Sequence, residues 1–177
     1  MRIALCLALL VSIAFSEEPE ADVGDLPRIP AIEPENALDT FQIRPGLTLK
    51  LAAHEPLVAD PIAMTFDDNG RMFVVEMRGY SERRNEALGR IKMLNDTDND
   101  GFFETATVYA DGLKWPTAVT CFDGGIFVIA SPDLLYFKDE NGDGKADTKK
   151  IIFTGFGEGK PRLNMQALPN SLRWGPD

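Results

Sequence analysis

After one long apolar run near its start, the chain carries its apolar residues in short stretches. These alternate with Gly, Pro, Asn and Asp, the pattern of short strands joined by tight turns rather than of helices. Residues 33–40 have room for a helical turn or two. Arg44-Pro45-Gly46 reads as a turn, and residues 47–53 (LTLKLAA) alternate as a strand does.

The short stretches repeat. Residues 61–70 (PIAMTFDDNG) and 116–125 (PTAVTCFDGG) share Pro, Ala, Thr, Asp and a closing Gly. Each is followed by an apolar run, residues 72–75 or 126–129, then by a third, residues 91–94 or 134–137. An acidic loop follows in each case (residues 96–104 and 139–147), then a fourth apolar stretch at 105–110 or 149–154. A unit of four short strands therefore occurs twice, with a repeat length of roughly 44 to 55 residues, as expected of propeller blades. A third unit begins at residues 171–174 (SLRW), which match residues 63–66 (AMTF). The expected fold is all-β: an incomplete β-propeller of two four-stranded antiparallel blades and the start of a third, the N-terminal part of a longer protein. A small β-sandwich of eight strands is the alternative, but it leaves the restart at Ser171 unexplained.

The N-terminus reads differently. Arg2 precedes an almost wholly apolar run at residues 3–15, and small residues at Ala14 and Ser16 suit a signal peptidase. We expect residues 1–16 to be a signal peptide, residues 17–40 a Pro/Glu-rich leader, and residues 41–177 the propeller part. The chain is then exported, and periplasmic, secreted or membrane-associated. A buried N-terminal element is the alternative, but Glu17-Glu18-Pro19-Glu20 would end it at once.

Charge narrows the partners. The net charge is -10 and the isoelectric point about 4.6, which excludes the basic face that nucleic acid requires. His54 is the sole histidine, and Cys121 is the sole cysteine after the apolar run. That excludes an internal disulfide in the mature chain and any His-rich metal site.

Many of the acids lie in the two repeated loops. Asp96, Asp98, Asp100 and Glu104 stand at positions 1, 3, 5 and 9 of the first, with Gly101 at the sharp turn and the Phe102 carbonyl at position 7. Asp139, Asn141, Asp143 and Asp147 repeat the spacing, with Gly144 at the turn and the Lys145 carbonyl at position 7. Alternating oxygen ligands on a chain that wraps around one point suit Ca²⁺. The loops depart from the EF-hand, with Thr107 and Lys150 where a bidentate Glu belongs and strands in place of helices. A hairpin turn rich in Asp, Asn and Gly that holds no ion is the alternative.

A meander puts these loops and the short turns at one end of each blade and the longer segments at the other. The second end gathers Glu76, Arg78, Tyr80, Arg83, Arg84, Trp115, Lys160, Arg162, Asn164 and Gln166. Cations and amides clustered in an acidic protein point to an anionic or polyhydroxylated ligand, such as a carbohydrate or polyol. Solvated loops are the plainer reading, and Glu76 with Arg78 could form a structural ion pair.

The segments VVEMRGY, DTDNDG, ADGL, FTGFGEG, RLNMQ and LRWGPD, in this order, resemble those of bacterial membrane-bound dehydrogenase domain proteins, a group similar to the soluble glucose/sorbosone dehydrogenase propellers. The resemblance covers residues 33–177. It implies a six-bladed propeller whose remaining blades, helical repeats and haem-binding C-terminal domain would follow. It also implies pyrroloquinoline quinone with Ca²⁺, and a histidine base shortly before a Gly-Pro-Asp turn. In this chain that turn is Gly175-Pro176-Asp177, and the base position falls near Gln166-Ala167, where no histidine stands. Two functions follow from this reading. One is a quinone-dependent sugar or alcohol dehydrogenase domain, inactive as this piece. The other is a non-catalytic, calcium-stabilised propeller that binds carbohydrate or a protein partner. A lactonase-like hydrolase ranks last, because the acidic loops lie at blade rims rather than in a central channel.

Overall fold

In the computed structural model, which describes residues 29–157 and 164–176, strands form where turn residues bracket the apolar runs. They are β1 (Pro61–Phe66), β2 (Met72–Glu76), β3 (Gly89–Asn95), β4 (Thr105–Leu113), β5 (Ala118–Phe122), β6 (Gly125–Ala130), β7 (Asp133–Lys138) and β8 (Thr148–Phe153). They pair in chain order into two antiparallel sheets, β1-β2-β3-β4 and β5-β6-β7-β8. The fold is thus all-β, an incomplete propeller of two blade-like meanders, within a unit spanning Pro34–Asp177. Among the described residues no helix is long and apolar enough to cross a membrane. The expected signal peptide, most of the leader, and Lys160 and Arg162 lie outside the described residues.

Turn chemistry fixes the strand ends. Between β5 and β6, Asp123 and Gly124 both have positive φ, 48° and 72°, the tight two-residue hairpin that Asp-Gly favours. Gly125 follows with no room for a side chain: a Cβ there would lie 2.3 Å from the Phe137 carbonyl oxygen. Between β1 and β2, one Asp67 oxygen accepts the Asn69 and Arg71 N–H groups at 3.0 and 2.9 Å. The other accepts the Arg71 Nε–H at 2.7 Å.

Strand alternation then sorts the faces. Phe73, Val75, Ile91, Met93, Tyr109 and Leu113 of the first sheet pack against Val119, Ile126, Val128, Leu135 and Phe137 of the second. A register shift between Ile91 and Lys92 leaves Tyr109 without a partner. Through this bulge both Tyr109 and Ala110 join the inter-sheet core, and the ladder runs on to Leu113 rather than ending at Ala110. The opposite face of the first sheet carries a smaller cluster of Met72, Val74, Leu94 and Phe103 beneath Val58 and Ala53. Fully burying an aliphatic side chain contributes roughly 1.5–3 kcal/mol, so the larger cluster dominates.

The short helix α1 (Pro34–Ala37) and a 3-10 turn at Leu38–Thr40 match the expected helical turns. Leu47 N–H donates to the Arg44 carbonyl at 3.1 Å, with Gly46 at φ 90°, as expected of the turn. Two expectations need correction. Residues 47–53 form no strand, because no neighbouring strand offers them a ladder; the Ala52 carbonyl alone accepts a strand-like bond, from Phe103 N–H at 2.8 Å. Residues 171–174 are likewise unpaired. Trp174 instead lies on Phe122 of β5, ring centroids 5.5 Å apart, on the flank where a third blade would begin.

Candidate functional site

The two acidic loops fold alike. In the first, Asp96 accepts the Gly101 N–H at 2.9 Å, Asp98 that of Asp100 at 3.2 Å and Asp100 that of Phe102 at 2.7 Å. Glu104 closes the ring by accepting the Thr97 N–H at 2.8 Å. In the second, Asp139 accepts from Gly144 at 2.8 Å, Asn141 from Asp143 at 2.9 Å, Asp143 from Lys145 at 2.9 Å and Asp147 from Glu140 at 2.9 Å. Carboxylates thus face inward at the same positions each time.

The loops differ at their centres. Oxygens of Asp96, Asp98, Asp100 and Glu104 lie within 4.8 Å of one another. One of them, Asp96 Oδ1, is buried with no hydrogen-bond partner. Its counterpart Asp139 has both oxygens occupied, Oδ1 by the Gly142 N–H at 2.6 Å. The Asn141 side-chain amide also donates to Asp147 at 2.9 Å. The first loop therefore has an orphaned anionic oxygen at its centre; the second satisfies itself. Thr97, through its N–H and then its hydroxyl, holds Glu104 below the ordinary carboxylate range. At Asp139, burial pushes the pKa up, but the backbone N–H groups of Gly144 and Gly142 outweigh it and hold the group low.

Each loop is anchored from outside. Tyr109 of β4 clamps the second: its hydroxyl accepts the Asp139 N–H at 3.0 Å and its carbonyl the Ala146 N–H at 2.8 Å. The Tyr109 ring sits edge-on to Phe73 at 5.0 Å, and burial pushes its pKa up to about 12. The first loop is held by Lys50, whose ammonium donates to the Asp100 carbonyl at 2.8 Å. Phe102 lies 5.8 Å from the His54 ring, which puts the sole histidine beside this loop.

At the opposite end, the long β2–β3 connection folds over Trp115. The buried Trp115 packs against the half-exposed Tyr80, ring centroids 5.5 Å apart. Arg84 lies over the Trp115 ring at 5.9 Å and donates to the Ser131 carbonyl. Arg83 pairs with Glu86 at 2.6 Å. Glu76 is fully buried and engaged within its own sheet: it accepts the Ala59 N–H at 2.8 Å and pairs with Arg90, its cross-strand neighbour on β3. The expected Glu76–Arg78 pair is therefore corrected to Glu76–Arg90, since residues two apart in sequence do not face each other across a ladder.

Between β1 and β5 runs an open groove of about 1040 Å³. Tyr80 and Gln166, both singled out from sequence, line it; Arg78, Arg83, Arg84 and Trp115 do not. Asn164 lies just beyond, its side-chain oxygen accepting the Gln166 N–H at 3.1 Å. The groove also takes in Thr65, Thr120, Asn170 and Ser171, which sequence reasoning missed. A signal existed: Thr65 and Thr120 hold the same position of the repeat, on the first strand of each sheet. The segment carrying Asn170 is pinned where Thr117 donates to the Pro169 carbonyl at 2.5 Å and where Leu168 is buried.

No curated protein matches this chain. Among solved structures it is similar to the iodide structure of Trichoderma reesei Carbohydrate-Active Enzymes Family AA12, with 19% sequence identity and a TM-score of 0.42. That similarity covers 59% of this chain and 25% of the other, so it spans about a quarter of the larger protein. Residues 33–177, the two sheets and both acidic loops included, match a family model described as a domain of unknown function, DUF7133, and the chain belongs to that family.

Proposed function

We propose that this is a calcium-held, propeller-type binding domain whose groove between β1 and β5 takes a carbohydrate or polyol. The groove lining carries the reading: hydroxyl and amide groups of Thr65, Thr120, Gln166, Asn170 and Ser171 surround the half-exposed ring of Tyr80. Convergent neutral donors and acceptors beside an aromatic face suit a polyhydroxylated molecule, whose hydroxyls they satisfy while the ring covers its C–H face. Among the described lining residues, Asp60 and Arg173 bear the charges, which suits a neutral ligand better than an anion.

Ca²⁺ would be held by Asp96, Asp98, Asp100 and Glu104. The orphaned Asp96 oxygen and the gathered carboxylates fit a hard cation. Bound there, Ca²⁺ would neutralise the first loop and fasten β3 to β4.

Titrating the intact chain with a panel of neutral sugars and polyols, followed by NMR shifts, tests the groove. Shifts at Thr65, Thr120 and Gln166 that vanish in Tyr80→Ala are expected; a panel without shifts overturns the reading.

The order of motifs from VVEMRGY to LRWGPD supports a second reading, an exported quinone-dependent dehydrogenase domain. Pyrroloquinoline quinone carries three carboxylates, whereas the described lining offers Arg173 as its sole cation. These residues do not fit that group, and we derive no step through it. Dye reduction by the chain with quinone, Ca²⁺ and sugar would reinstate this reading.

A further inference from the structure

Residues 47–53 stand to the first acidic loop as β4 stands to the second. The Tyr109 carbonyl accepts the Ala146 N–H at 2.8 Å, and the Ala52 carbonyl accepts the Phe103 N–H at 2.8 Å. Ala146 and Phe103 are equivalent, each two residues past the turn glycine, Gly144 or Gly101.

The apolar surroundings repeat as well. Ile126 and Val128 of β6 are covered by the whole first sheet. Their counterparts on β2, Met72 and Val74, meet Val58 and Ala53 and a hollow of about 300 Å³ that reaches Ile62 and Met64. β4 is hydrogen-bonded along one edge to β3, whereas no strand pairs with residues 47–53 among the described residues. Leu47 is 68% exposed, Leu49 40% and Met64 63%.

We propose that residues 47–53 are the outer strand of a further, divided blade. This edge and the hollow beside it dock a three-stranded antiparallel meander of the same repeat type that lacks its own fourth strand. The partner's last strand adds to the edge by main-chain bonds, and its apolar face covers Met72 and Val74. The internal repeat defines this occupant, because it is what lies on the equivalent side of the second sheet once β4 is set aside. A second copy of this chain fits less well: its sheets bring their own outer strands, β4 and β8, into the place residues 47–53 already hold. The proposal is independent of the ligand reading.

The test uses the intact chain and a synthetic polypeptide of residues 116–138, which carries β5–β7 without β8. Backbone hydrogen exchange is read at residues 47–53. In the chain alone these amides should exchange freely; with the polypeptide, alternate amides should slow at least tenfold. Leu49→Pro, which removes a donor from the edge, should abolish that slowing and leave both sheets protected. Because the free polypeptide can fail to fold, the same segment is also linked through a Gly/Ser spacer to the N-terminus of the intact chain; slowing in either format supports the proposal. Three results overturn it: amides 47–53 already slow in the chain alone, no slowing in the linked form with both sheets folded, or slowing that tracks chain concentration without the polypeptide, the mark of a second copy.

Discussion

Asp96 and Asp139 occupy the same position of a repeated loop, yet only Asp96 keeps a buried oxygen without a partner. The difference traces to Gly142, whose N–H turns onto Asp139. Calorimetric titration of the intact chain should therefore find one Ca²⁺ per chain, lost in Asp96→Asn and kept in Asp139→Asn. At a hundredfold excess over Kd the ion should add about 2.7 kcal/mol of stability; two equivalent ions would contradict this. The loops also fix the response to acid. Glu104 and Asp139 are held below their ordinary values in the folded state. The stability they contribute is present above the ordinary carboxylate range, near pH 4, and is lost as pH falls through their lower folded values. Tyr109 acts in the opposite direction. Its pKa of about 12 exceeds the unfolded value near 10, so its contribution is full below about pH 10 and disappears as pH rises toward 12. Urea unfolding at stepped pH should show both flanks, and Tyr109→Phe should flatten the alkaline one. Cys121 is half-buried, and its thiol is pushed up to about 11 by burial. A thiolate-seeking reagent at pH 8 should modify it only once the chain is unfolded.

Elements were legible in sequence where local chemistry decides them. Asp123-Gly124 announces a tight hairpin, and the alternation of β2 and β3 announces two buried faces; all eight strands fall where the repeat places them. Gly125→Ala should cost more than an ordinary turn substitution, because its Cβ would collide with the Phe137 carbonyl and the Tyr136 ring; the midpoint of thermal unfolding measures this. Residues 47–53 have the same alternation and form no strand. Alternation reports which side chains can face inward, whereas a strand also needs a neighbour for its backbone. The candidate site divides the same way. Acidic spacing in a loop is a local property, so the ligand positions could be read directly. The groove combines segments far apart in sequence, so Tyr80 and Gln166 were visible as isolated polar residues while Asn170 and Ser171 were not. Glu76 looked like a site residue because a charge at a strand end is ordinarily exposed; only the pairing of β2 with β3 reveals Arg90 as its partner.

Across the whole molecule, stability rests on the contact between the two sheets. Ile126 and Val75 are fully buried there. Ile126→Ala should lower the free energy of unfolding by about 2–5 kcal/mol, measured by urea titration with both sheets lost in one transition. Truncating Met72 on the opposite face, where the cover is thin, should cost less. Tyr109 links the sheets more tightly than apolar contact alone, since its hydroxyl and carbonyl belong to one sheet while the N–H groups they accept belong to the other's acidic loop. This gives assembly a direction. The downstream loop has its mould only after the upstream sheet is in place, so a chain emerging from the ribosome would complete each module against the one made before it. A lesion at Tyr109 would then be felt more in the yield of newly made protein than in the melting of protein already folded.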